Sequence, residues 1–123
     1  MPLDVASEPL FDDFQIEMLR DAVGPDDLGA MLAELPRHAL RSFEAIKAAL
    51  ASDDFEQACR AAHVIKGVAS SFGAARLAAI AREMELESSS LAALRGHMPT
   101  LAETIQSTAA ALGELTLTVD AGT

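Results

Sequence analysis

Tryptophan and tyrosine are absent from this chain of 123 residues, and cysteine occurs once, at position 59. A single cysteine excludes an intramolecular disulfide. No apolar run approaches the ~20 residues needed to span a bilayer. The opening Met1-Pro2-Leu3-Asp4 lacks the basic-then-apolar pattern of a secretory signal. The expected location is therefore the cytoplasm. Bases are scarce as well: 9 against 19 acids, a formal charge of −10. Binding to nucleic acid wants a basic footprint, so that class of partner is set aside. Glycine-rich phosphate loops, the Walker lysine motif and kinase signatures are all missing. So are Glu-x-x-His pairs of the kind that bind metals inside helical bundles, and no metal site is expected. Runs of β-branched residues are almost absent.

What remains is rich in alanine, and 50% of the residues are hydrophobic. That is enough for one domain with a real core, and small residues at high density suit closely packed helices. The expected class is all-α: an antiparallel four-helix bundle, with a short additional N-terminal helix capping one end. The domain is expected over residues 10–113, between flexible tails at 1–9 and 114–123.

The apolar spacing gives five helices. The first covers residues 10–23, with Leu10, Phe14, Met18 (with Leu19) and Val23 inward and Asp12 or Asp13 as its cap. Gly24 ends it, and Pro25-Asp26-Asp27 opens the second well. The second runs over 26–51 on the stripe Leu28, Met31, Leu32, Leu35, Ala39, Phe43, Ile46 and Leu50, with a kink expected at Pro36. Asp53 and Glu56 resemble a capping box for the third, which should stop near Phe72-Gly73. The fourth, about 74–87, turns Leu77, Ile80, Ala81 and Met84 inward. Ser88-Ser89-Ser90 form a turn and cap. The fifth shows Leu91, Leu94, Met98, Leu101, Ile105, Thr108 and Leu112, weakened by Gly96 and Pro99 and ended by Gly113.

The third helix carries the one residue that packing does not explain. At 100° per residue, Ala58, Ala61, Ile65, Val68, Ala69 and Phe72 lie opposite His63. His63 is therefore expected in water, surrounded by Glu56, Arg60, Gly67 and Ser70, with Lys66 and Cys59 at the edge. Neutral imidazole is a good nucleophile near neutral pH. Gly67, one turn on, costs about 1 kcal/mol against alanine in a helix interior. It leaves room there for a large partner. Between Gln57 and Arg82 stand four bases (Arg60, Lys66, Arg76, Arg82) and no acid, so the stretch is locally cationic in an acidic chain.

His63-x-x-Lys66-Gly67, then Phe72-Gly73-Ala74, Leu77, Met84 and Glu85, resemble the histidine-containing phosphotransfer (HPt) domain of bacterial two-component phosphorelays. The resemblance spans about 25 positions. It implies a helical bundle whose exposed histidine accepts a phosphoryl group from one receiver-domain aspartate and passes it to another, without kinase activity of its own. The ring nitrogen far from the backbone would be the one modified. Lys66 would pair with the phosphoryl oxygens as a mobile point charge, and Ser70 would hydrogen-bond them. Arg60, Gly67, Glu56 and Cys59 would meet the partner, Cys59 as a small helix residue and not a nucleophile. Glu85 matches an acid of the pattern, with packing or partner contact as its expected role. The resemblance calls for no cofactor in this chain. Mg²⁺ is expected on the receiver.

The expected partners are receiver domains of response regulators or hybrid kinases, met by a monomer. The alternative reading is a docking module that binds a receiver or histidine kinase without turnover; its signature would be loss of His63 or Lys66. A phosphatase would want an acid or amide beside the histidine, and the neighbour in sequence is Val64. His38 and His97 are expected at the surface or at helix ends.

Overall fold

The computed structural model describes residues 8–121, with side chains from 8 to 112. The elements are α1 (Asp13–Val23), α2 (Pro25–Ala51), α3 (Phe55–Ser71), α4 (Ala75–Arg82), a π-helical turn (Glu83–Glu87) and α5 (Leu91–Ala121). No strand occurs among the described residues. No described helix is long and apolar enough to cross a membrane. α2 packs against α3 and α5, α4 packs against the same two, and α1 rests on α2.

The helix ends follow local chemistry. Asp12 caps α1 by accepting from the Gln15 amide at 3.2 Å. Gly24, at φ +87°, makes the corner into Pro25, which occupies the first turn of α2 with Asp26 and Asp27 beside it. α3 is capped by Asp54, whose carboxylate accepts from the Gln57 amide at 3.1 Å. The capping box expected from Asp53 and Glu56 does not form. Asp53 sits at φ +53° in the turn and receives Arg95 of α5 at 2.8 Å, while Glu56 pairs with Arg60. Gly73, at φ +71°, stops α3 as expected. Ser90 caps α5 through the Ala93 amide.

The core stripes of the longer helices agree with the periodicity. Leu28, Leu32, Leu35, Ala39 and Ile46 of α2 are buried, as are Leu77, Ile80, Ala81 and Met84 after Gly73, and Leu94, Leu101, Ile105, Thr108 and Leu112 of α5. Pro36 lies inside an unbroken α2, and Pro99 inside an unbroken α5. Gly113 does not end α5, which continues to Ala121. One glycine costs a helix only about 1 kcal/mol, less than the hydrogen bonds that continuation retains.

α1 is rotated from its expected face. Phe14 is 72% and Met18 57% exposed, and Ile16, not among the expected residues, is buried, while Leu19 and Val23 pack on the core as expected. Three backbone carbonyls hold this end of the chain. The Asp12 amide donates to Gly73 O at 2.8 Å, the Gln15 side-chain amide to Ser70 O at 2.6 Å, and Arg76 to Glu8 O at 2.7 Å. With Gln15 aimed at the end of α3, Ile16 is the residue that turns inward, against Gly73.

Candidate functional site

α3 places His63 on its outer side, and 63% of the side chain is exposed. The buried line of this helix is Ala58, Ala62, Ile65 and Ala69; Ala61, Val68 and Phe72 flank it, half-buried. The inward face is therefore centred nearer Ala62 than the wheel set opposite His63 suggests. Val64, on the other flank, is exposed. The rotation brings the Lys66 and Cys59 edge of α3 down towards the π-turn. Lys66 is then mostly covered, not a free surface lysine.

Across that edge stands Glu85, with 18% of its side chain exposed. One carboxylate oxygen, Oε1, lies 2.8 Å from His63 Nδ1, and the other, Oε2, lies 2.8 Å from Lys66 Nζ. The Lys66 bond, reinforced by His63, holds the Glu85 carboxyl below its ordinary range, in opposition to the effect of burial. An ionised carboxylate only accepts hydrogen bonds. Hence Nδ1 carries the proton of the neutral ring, and Nε2 keeps its lone pair, pointing away from Glu85.

Two expectations change at this point. An acid does stand beside the histidine, supplied by another helix and 22 residues away in sequence. The stretch that is cationic along the chain is also offset in part, because Glu85 takes up Lys66 and Glu56 takes up Arg60 at 2.9 Å, while Arg76 bonds a backbone carbonyl and Arg82 is exposed. Glu85 is the residue whose contact the sequence reading missed. Its place in the motif was the available signal.

The other candidate residues lie around this group. Gly67 is exposed on the next turn, and a Cβ built there would meet nothing within 4 Å. Ser70 is exposed one turn further, its carbonyl taken by Gln15 of α1. Cys59 is half-buried on the preceding turn; burial and the nearby Glu85 charge push its thiol up from the ordinary value. That makes it a poorer nucleophile at neutral pH. His38 is exposed and His97 half-buried. Among the described residues, no three His, Cys, Asp or Glu side chains gather as a metal site.

A helical chain with an outward histidine, tied to a lysine and a glutamate across two helices, has the form of a phosphate-carrying module. The chain matches the family model of the Hpt domain over residues 26–115, and it belongs to that family. Hpt domains serve histidine phosphotransfer in phosphorelays and interact with receiver domains of two-component systems. α1 precedes the matched region. No curated protein and no solved structure matches the chain.

Proposed function

We propose that this protein is a phosphorelay intermediate that accepts a phosphoryl group on His63 Nε2 from one receiver aspartate and delivers it to another. The observation that carries the reading is the Glu85–His63 contact of 2.8 Å at Nδ1, which leaves the opposite nitrogen basic and outward. The chain supplies a nucleophile in a fixed orientation. The receiver supplies the aspartate, its acids and Mg²⁺, so that catalysis is mostly positioning and charge stabilisation. Lys66, joined to His63 through the shared carboxylate, would serve the incoming phosphoryl oxygens, with the Ser70 hydroxyl as a further donor. Arg60, Glu56, Gly67 and Cys59 would border the docked receiver. Gly67 would provide the space for it.

The architecture proposed for this role is an antiparallel four-helix bundle of α2 to α5, with α1 closing one end. The working unit is residues 10–113, monomeric and cytoplasmic, with no kinase activity of its own. The test is incubation with phosphorylated receivers and detection of acid-labile phosphate on the protein. His63→Gln should accept none while unfolding at nearly the same temperature. Phosphate on the His63→Gln protein, or a large loss of its stability, would refute the assignment.

A further inference from the structure

We propose that Glu85 is the fixed counter-charge of phosphorylated His63: it keeps the ring protonated at Nδ1 and so keeps the phosphoryl group transferable at neutral pH. The inference rests on the reading of His63 as the phosphate carrier. In the forward step, the Nε2 lone pair forms the N–P bond as the P–O bond to the donor aspartate breaks. The bonding pair stays on that aspartate as carboxylate. No proton leaves Nδ1, so the neutral ring becomes an imidazolium bearing the phosphoryl group. The 2.8 Å contact to Oε1 then becomes a charge-assisted hydrogen bond. It is partly shielded from solvent, since Glu85 is mostly covered.

Loss of the Nδ1 proton would set a ring lone pair against a carboxylate lone pair at the same place. The geometry thus favours one protonation state. That state matters on the return step. A protonated ring leaves phosphorus as neutral imidazole; a deprotonated ring would have to leave as an anion, a much poorer leaving group. Lys66 moderates this hold: its ammonium on Oε2 keeps Glu85 ionised but takes up part of the carboxylate's charge, so that without it the ring should keep the Nδ1 proton to higher pH.

Other charges near α3 are engaged elsewhere or point outward. Glu56 pairs with Arg60, Glu44 with Lys47 on α2, and Arg76 of α4 with Glu8 O. Asp54 caps α3 from below. Arg41 of α2, Arg82 of α4 and Glu87 of the π-turn are exposed, and Glu83 is buried. Half-buried Cys59 is the remaining titratable group on this edge.

Glu85→Gln separates charge from orientation. Its amide oxygen can still accept from Nδ1, so the nucleophilic tautomer is preserved while the negative charge is lost. Wild type and variant would be phosphorylated with phosphoramidate. The Nδ1 proton of the phosphorylated ring would be followed by ¹H–¹⁵N NMR as pH is raised, with phosphohistidine lifetime as a second readout. In Glu85→Gln the ring should lose that proton at a pH lower by about one unit or more. Its phosphohistidine should survive up to about tenfold longer where only the wild-type ring is still protonated. Lys66→Met should shift the titration the other way. Coincident titrations in wild type and Glu85→Gln, or equal shifts in both variants, would overturn the proposal. Absence of phosphate on His63 of the wild type would instead remove the carrier reading and this inference with it.

Discussion

Replacing Gly67 by glutamine should make the protein more stable and a worse partner. The backbone at Gly67 is helical and exposed, and a Cβ there has open space around it. Nothing in the fold requires glycine, so the substitution should gain roughly 0.5–1 kcal/mol of helix propensity. For a domain of this size, that is a rise in Tm of about 2–6 °C. The Ser71 hydroxyl bond to the Gly67 carbonyl, at 2.9 Å, involves the main chain and should persist. A receiver that approaches His63 along this turn would meet the new side chain. A displacement of about 1 Å costs on the order of a hundredfold in rate. The assay is single-turnover transfer from a phosphorylated receiver, set against phosphorylation by phosphoramidate, which needs no docking. Receiver transfer should fall about a hundredfold while the small donor is nearly unaffected. Equal slowing with both donors would mean that the variant damages the histidine itself. Undiminished receiver transfer would remove this turn from the interface.

Lys66→Ala should slow receiver transfer without abolishing it and destabilise the fold by about 1 kcal/mol, because Glu85 loses a partner in a half-covered place; chemical denaturation and transfer kinetics check the two parts separately. Ile16→Ala should cost about 2–4 kcal/mol, whereas Phe14→Ser should stay within about 0.5 kcal/mol; the reverse order in thermal melts would contradict the rotation of α1. Glu85 has a folded-state pKa below its unfolded value, so its contribution to stability is present above the ordinary carboxylate value of 4.5 and is lost as pH falls through the lowered one. Denaturant midpoints measured from pH 7 down to 3 should show that loss in wild type and a smaller one in Glu85→Gln.

Several features were readable from the sequence because they depend on nearest neighbours. The stops at Gly24 and Gly73 need a positive φ, and the Met84 stripe needs only a period. The outward position of His63 followed from the same periodicity. The α3 cap was missed by one residue: Asp53 and Asp54 are chemically equivalent, and Arg95, distant in sequence, claims the first. In α1 the spacing pointed to a face through Phe14, Met18 with Leu19, and Val23, and the structure keeps Leu19 and Val23 on the core but replaces the other two with Ile16. The bonds from Gln15 and Asp12 to the end of α3, distant in sequence, set that rotation. The contact of Glu85 with His63, signalled only by its place in the motif, was missed for a similar reason. That contact depends on how two helices are set against each other and on a turn whose hydrogen-bond spacing is not helical in the usual sense.

That turn is also a matter of chain length. A π-turn is what an α-helix becomes when it absorbs an extra residue without breaking. Here the surplus falls in Glu83–Glu87, just before Ser88 leaves the helix with extended backbone. Beyond it Ser88 is buried, Ser89 is exposed and Ser90 caps α5. Removing one residue at exposed Leu86 or Glu87 should let the turn relax to ordinary α geometry. Met84 would still be drawn inward by its own burial, but the direction of the neighbouring carboxylate would change. The single surplus residue of this turn thus bears on whether His63 and Lys66 reach their shared acid.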